Sequence, residues 1–298
     1  MISVGATVVT GASGRVGASI VRKASAQGLE LCGLYHCRCL TSPGIEAYQA
    51  DIADRRSLFT LLDRIRPEKI IHCAAIAHDD EEERLRCVNI EGTANLAEYC
   101  KAHGAYLVHL STDLVFDGEK GRYREDDELS PVGRYPLSKA RAEEAVRESG
   151  ARASIARIPI NYGWSRDGTT FAEWILSRMR QGVQVPLFVD QFRSPIYLGN
   201  LAEALLELAR RECPGTFHLA GADRITRYDF GLRMADLFRF PRELLAGVKM
   251  EEVAYRGSRS KDCSLDVTKA RSLLATPLLG VEEGLRAFKE EEGQAVMP

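Results

Sequence analysis

The sequence predicts an α/β protein: a doubly wound parallel sheet with a smaller, interwoven C-terminal domain. Three observations point there. Short apolar runs alternate with longer amphipathic stretches through residues 6–158. The first run ends in a glycine-rich loop that opens a helical pattern. The composition is that of an ordinary globular chain, with 45% hydrophobic and 28% charged residues among 298. A chain of that length buries a sizeable core without disulfides or a structural metal.

The elements follow in order. Residues 6–10 (ATVVT) have the β-branched composition of a buried strand. Val16, Ile20, Val21 and Ala24 then recur at helical spacing. Residues 30–35 and 47–50 read as the second and third strands. Asp54 suits the N-cap of a helix over 55–65, and Pro67 ends it. Residues 69–75 (KIIHCAA) read as a fourth strand. A helical pattern runs over 81–101, with Gly104 suited to the left-handed position that closes it. Residues 105–111 (AYLVHLS) make a fifth strand, 135–148 a helix of strong formers, and 153–158 a sixth strand. Right-handed crossovers then put helices on both faces of a parallel sheet. Regularity weakens after Pro159: 170–180, 200–211, 227–238 and 268–274 read as helices, and 215–221 (GTFHLAG) as another buried strand.

Charge and cysteine usage narrow the function. Forty Lys and Arg face 42 Asp and Glu, a net charge of −2, so there is no basic excess for a nucleic-acid backbone. No apolar run approaches a membrane span, and the first residues lack the pattern of a secretory signal. A cytoplasmic location is expected, with the eight cysteines reduced. Cys32, His36, Cys37 and Cys39 lack the paired spacing of a zinc site, and no metal site is expected. His72, His109 and His218 lie inside apolar runs and read as packed core residues. Trp164 and Trp174 read as core, Asp79 to Glu83 as a solvated acidic helix start, and Glu290 to Glu292 as a charged, frayed end.

Gly11-x-x-Gly14-x-x-Gly17 sits between the first strand and the first helix. There, one glycine allows the tight turn, one lets backbone approach a pyrophosphate, and one lets the helix pack on the strand. The helix N-terminus adds unclaimed N–H groups and partial positive charge. The expected cofactor is therefore a dinucleotide, held on a Rossmann-type sheet. The second strand ends in Tyr35-His36-Cys37-Arg38, with no acid to hold a ribose hydroxyl. Arg38, aided by His36 or Arg15, suits a 2′-phosphate, which favours NADP(H) over the alternative NAD(H). Residues 1–158, rejoined by about 195–221, read as the dinucleotide-binding domain, and 159–194 with 222–298 as the substrate domain.

Tyr135 and Lys139 stand four apart at the start of a helix and share one face. An ammonium near a phenol is expected to lower the tyrosine pKa and make it usable in proton transfer. Thr112 closes the fifth strand, where carboxyl ends border the ligand crevice of such sheets.

The order of glycine loop, strand-end threonine and Tyr-x-x-x-Lys resembles the extended short-chain dehydrogenase/reductases. Within them the chain is most similar to the dTDP-4-dehydrorhamnose reductase group. The resemblance covers nearly the whole chain: TGASGRVG at 10–17, AAIA at 74–77, VNIEGT at 88–93, LSTDLVFDG at 110–118, SPVGRYPLSKARAEE at 130–144, RIPINYG at 157–163, DQFRSPIYLGNLAEAL at 190–205, GTFHLAG at 215–221 and KDCSLDVTKAR at 261–271. It implies that Thr112, Tyr135 and Lys139 are catalytic, with Tyr135 protonating a C4 ketone oxygen as the nicotinamide delivers hydride. It implies that Gly11, Gly14 and Gly17 line the pyrophosphate, that Asp51 and Ile52 border the adenine, and that Ala74, Ala75 and Ala77 pass close to the cofactor. Ser13, Val16, Asn89 and Ile158 join the cofactor site on the same grounds, and Lys139 holds the nicotinamide ribose. The implied partners are a nucleotide-sugar substrate and a second copy in a homodimer, with no nucleic acid or membrane. The chain departs from the group at Leu114, Gly133, Pro136, Ile160 to Gly163 and the acidic stretch from Asp79, mostly around the sugar-nucleotide pocket. The resemblance extends to the regulatory beta subunit of methionine adenosyltransferase through residues 123–127 and 215–219, which makes a non-catalytic NADP-binding subunit the competing expectation. An epimerase or dehydratase of the same superfamily is a third.

Overall fold

The computed structural model describes residues 7–40, 42, 44–78, 80–253 and 260–292; Ala6 and Asp79 lie outside the described residues. The first half of the chain lays down β1 (Thr7–Thr10), α1 (Arg15–Ala26), β2 (Leu31–Tyr35), β3 (Glu46–Gln49), α2 (Arg55–Ile65) and β4 (Lys69–His72). It continues with α3 (Glu82–Leu85), α4 (Gly92–His103), β5 (Tyr106–Thr112), α5 (Arg134–Ser149) and β6 (Ala153–Ile158). The second half contains β7 (Asn161–Tyr162), α6 (Phe171–Arg180), β8 (Val185–Phe188), β9 (Phe192–Arg193), β10 (Ile196–Tyr197) and α7 (Leu198–Arg211). It ends with β11 (Gly215–His218), β12 (Ile225–Thr226), α8 (Arg227–Phe238), β13 (Leu245–Val248), α9 (Thr268–Leu273) and α10 (Val281–Glu290).

Seven strands form one sheet in the order β11-β6-β5-β4-β1-β2-β3. Every pairing within it is parallel. The chain starts at the centre, builds out to β3, then returns past β1 to build the other half. The crevice at the carboxyl ends of β1 and β4 is where such sheets take ligands. Successive side chains of each strand point to opposite faces. Val9, Ile71 and Val108 pack with Ile20 of α1 and Leu201 and Leu205 of α7. Their neighbours Val8, Ile70 and Leu107 pack with Leu58 and Leu62 of α2 and Leu96 of α4. A third cluster joins Tyr162, Ile175, Phe230, Leu285 and Phe288 from the later elements. Those elements add three two-stranded pairs, β10 with β7, β12 with β9 and β13 with β8.

Four readings of the sequence are corrected. The fourth strand stops at His72, because the next backbone groups turn to Thr10: Cys73 N–H donates to its carbonyl and Ala74 N–H to its Oγ1. The helix over 81–101 is interrupted by a π-turn at Arg86–Glu91, which brings Asn89 inward onto the Ile76 backbone. The strand over 215–221 stops at His218. Glu290 to Glu292 are not a frayed acidic run: Glu290 closes α10, and Glu292 pairs with Arg180. Gly284 sits inside α10 and disguises it, yet a Cβ there would collide with the Tyr162 hydroxyl.

Candidate functional site

The glycine loop is shaped by close approach. Gly11 has φ of +62°, and a Cβ on it would lie 2.7 Å from the Ala74 nitrogen. A Cβ on Gly17 would collide with the Gly11 carbonyl, so any larger residue would lift α1 off the loop. Gly14 is the N-cap of α1, no side chain caps it, and no acid occupies the first turn. Those backbone donors and the helix dipole fit an anionic group such as a pyrophosphate. Ser13 and Val16 flank the turn, half-buried. Across the crevice, Ala74, Ala75 and Ala77 follow β4, with Ala75 and Ala77 exposed.

Asn89 lies in the π-turn that follows α3. It is fully buried, its Oδ1 accepts from Ile76 N–H, and its Nδ2 donates to the Ile76 carbonyl and Ser138 Oγ. It ties the wall at 74–77 to α5. Ile52 is buried beneath Gly92, while Asp51 is exposed and accepts from Ala53 N–H. The cations proposed for a 2′-phosphate converge on one acid from the second half of the chain. Arg38 Nη1 lies 3.7 Å from Asp167 Oδ2, and Arg15 Nε lies 4.0 Å from Asp167 Oδ1. Arg15 also donates to Thr169 Oγ1. His36 instead lies 3.9 Å from Asp51.

Thr112, the last residue of β5, is paired in register with Ile158 at the end of β6. Its side chain stands beside the Tyr135 phenol. Gly133, at φ of +108°, turns the chain into α5, so Tyr135 and Lys139 fall in its first two turns. Lys139 is buried, and its Nζ lies 3.4 Å from His109 Nε2 on β5. The expected lowering of the tyrosine pKa is not what this geometry yields. Burial, helped by the Asp113 carboxylate and opposed by the Thr112 hydroxyl, pushes Tyr135 up to about 12. Lys139 points to His109, and burial brings it down to about 8 against the pull of Glu143.

Two neighbours of the site, Arg193 and His109, escaped the sequence reading in this role, and a third group is the acid beside Thr112. Asp113 is buried beside Thr112, and burial raises its pKa even though Arg193 Nε lies 3.6 Å from its Oδ2. Arg193 comes from β9 and is held by the carbonyls of Phe192, Lys261 and Ser260. His109 is a buried core histidine, as read, but one that touches Lys139. Asp167 and Arg193 carried no local signal, because their partners lie far away in sequence. Trp164 packs its indole N–H on the Phe288 carbonyl, whereas Trp174 is 39% exposed rather than core. No group of three or more metal-ligating side chains occurs among the described residues, and no helix among them is long and apolar enough to cross a membrane.

Comparisons with known proteins agree on one family. The model of the RmlD substrate binding domain matches residues 6–293. The chain is 33% identical over 291 residues to the probable low-salt glycan biosynthesis reductase Agl14 of Haloferax volcanii, covering 94% of this chain and 96% of that protein. It is 28% identical over 298 residues to methionine adenosyltransferase 2 subunit beta of Rattus norvegicus, covering 94% and 87%. A solved hypothetical dTDP-4-dehydrorhamnose reductase from Sulfolobus tokodaii superposes with a TM-score of 0.83 at 31% identity, covering 94% and 98%. The fold is also that of a dTDP-4-dehydrorhamnose reductase from Bacillus anthracis solved in complex with NADP, at a TM-score of 0.83 and 24% identity over 97% and 100%.

Proposed function

The chain belongs to the RmlD substrate binding domain family, and from that premise we propose that it is an NADP(H)-dependent reductase of a nucleotide-linked 4-keto-6-deoxy sugar, of the dTDP-4-dehydrorhamnose reductase kind. The observation that carries this reading is the meeting of Thr112, at the carboxyl end of β5, with Tyr135, one helical turn before buried Lys139. The glycine turn that leaves no room for a Cβ and the uncapped start of α1 fit a dinucleotide pyrophosphate. Arg15 and Arg38 fit a 2′-phosphate.

When bound, the dinucleotide supplies a hydride for C4 of the sugar. The chain's own residues do the rest. Thr112 orients the ketone oxygen by hydrogen bonding. Tyr135 donates its phenolic proton to that oxygen as the C=O π bond opens and C–H and O–H bonds form. A tyrosine held up at about 12 is protonated throughout the neutral range, the state a proton donor requires. Lys139, one turn further along α5, holds the nicotinamide ribose. The substrate is a nucleotide sugar, and the same reading takes the protein as a cytoplasmic homodimer, which sedimentation would check.

The direct test is NADPH oxidation by the purified chain with dTDP-4-keto-6-deoxyglucose and its C3,C5-epimerase. Tyr135→Phe should lose roughly a hundred- to ten-thousand-fold in turnover and keep its NADPH affinity. Full turnover in the Phe variant would remove Tyr135 from the mechanism. The likeness to methionine adenosyltransferase 2 subunit beta supports a second reading, a non-catalytic NADP-binding subunit. Tight NADPH binding without turnover, and a partner that co-purifies, would favour it.

A further inference from the structure

We propose that His109 is the positioning residue for the active-site lysine: its imidazole holds the Lys139 amine where the cofactor ribose needs it, whichever form the amine is in. This rests on the reading of Lys139 as the ribose-binding cation.

The geometry begins in the sheet. Thr10, His72 and His109 stand in register on β1, β4 and β5, one adjacent to the next. All three point to the face covered by α4 and α5, since they share parity with Val8, Ile70 and Leu107. His72 is spoken for at both nitrogens, by Thr10 Oγ1 at 2.7 Å and Thr93 Oγ1 at 2.9 Å. Its ring therefore acts as a fixed wall, 5.2 Å from the His109 ring. His109 is fully buried, and its Nε2 meets Lys139 Nζ at 3.4 Å. Its Nδ1 has no hydrogen-bond partner among the described residues.

That asymmetry explains why an imidazole suits the position. Toward an ammonium, Nε2 accepts and the ring proton sits on Nδ1. Toward a neutral amine, the proton moves to Nε2, which donates, and the bare Nδ1 is the cheaper orphan. A leucine can do neither. The other groups that bear on the pair are Cys73 after β4 and Glu143 and Arg147 on α5, with Arg157 on β6 committed to Glu143. Among the described residues no carboxylate lies within ion-pair distance of Lys139. Burial, rather than a counter-ion, sets its titration near neutral pH.

The test is NADPH affinity by direct titration from about pH 6 to about pH 9, alongside turnover across the same range. In His109→Leu the amine loses its partner and its proton at lower pH. A fall of about one pH unit in the lysine titration weakens NADPH binding roughly fivefold at about pH 8 and nearly tenfold at about pH 9, and hardly at all at about pH 6. The high-pH limb of turnover should move down by the same interval. His109→Gln, which can accept or donate, should stay within about twofold of wild type. His109→Met replaces Leu if the Leu variant does not fold. Wild-type affinity at every pH in Leu or Met overturns the proposal. So does a Gln variant as impaired as Leu, which would make ring volume rather than hydrogen bonding the cause. If the wild-type chain binds NADPH but reduces no nucleotide sugar, the reductase reading fails while the titration still decides the role of His109.

Discussion

Lys139 and Glu143 stand one turn apart on the same buried face of α5, and the fold treats their charges in opposite ways. Glu143 is saturated. Its Oε1 accepts from Arg157 Nε at 3.0 Å, and its Oε2 from Arg157 Nη2 at 2.9 Å and Arg147 Nη2 at 2.6 Å. Arg157 in turn donates to the Glu125 carbonyl, and its guanidinium lies over the Phe116 ring. Burial opposes the Glu143 charge, but Arg157 outweighs it and the pKa ends below the usual carboxylate range. Lys139 has a neutral imidazole at 3.4 Å and no such cage. A buried charge whose hydrogen bonds are complete joins elements together. One left incomplete keeps capacity for a ligand.

The largest effect should come from breaking the complete set. Arg157→Ala leaves Glu143 buried and unpaired by its main partner, which costs about 3–5 kcal/mol. Urea unfolding should show it as a large drop in midpoint. Replacing both residues by Met should restore most of the loss. A single Arg157→Ala variant of wild-type stability would mean that the cage is decorative and the comparison is wrong.

Next comes the acid response of the same region. His218 is buried beside Arg157, and burial first, then the guanidinium, lowers it from 6.5 to about 4. His72 falls to about 3, also through burial. Between those values and 6.5 the unfolded chain binds protons that the native chain refuses. Stability is therefore full above about pH 6.5 and is lost as pH falls toward 4. His218 alone contributes about 3 kcal/mol to this loss, at about 1.4 kcal/mol per pH unit. Glu143 adds its share only at lower pH, as its depressed carboxyl is protonated. Unfolding midpoints measured through this window should fall steeply, and His218→Gln should flatten the curve. An equally steep curve in that variant would put the acid sensitivity elsewhere.

Lys139→Met sharpens the contrast from the other side. Removing an incompletely paired buried charge should change stability by less than about 1 kcal/mol, in either direction. NADPH affinity and turnover should both fall. A variant as destabilised as Arg157→Ala would show that Lys139 is structural after all.

What could be read in the sequence divides along the same line. The glycine loop, the Tyr-x-x-x-Lys pair and the strand-end Thr112 are local patterns, and spacing alone places them. The alternation Val8/Val9, Ile70/Ile71 and Leu107/Val108 is likewise local, and it sets both faces of the sheet. The pairing of Lys139 with His109 is set by sheet register over 30 positions, and nothing in the string AYLVHLS separates His109 from an inert core residue. For the same reason the tyrosine pKa went the wrong way: spacing put Lys139 on the right face but did not show where its amine turns. The helix α10 had its apolar period at Val281, Leu285 and Phe288, but Gly284 hid it. That glycine answers to Tyr162, more than a hundred residues earlier.

The smallest effect concerns the exposed end of the crevice, where incomplete pairing recurs. Arg15, Arg38 and Asp167 are each a third exposed or more, at 47%, 70% and 34%, and their contacts are long. Exposed pairs of this kind contribute at most about 1 kcal/mol. A dianionic 2′-phosphate between the same two guanidinium groups would make charge-assisted, bidentate bonds and displace the monoanionic carboxylate. Asp167 then acts as a weak competitor for the cofactor. Asp167→Asn should tighten NADPH binding roughly two- to fivefold and leave NADH unchanged, and 2′,5′-ADP should gain as NADPH does while 5′-ADP does not. Weaker NADH binding in the Asn variant would reverse the assignment: Asp167 would be holding the ribose hydroxyl itself, and the two arginines would be its support rather than the phosphate site.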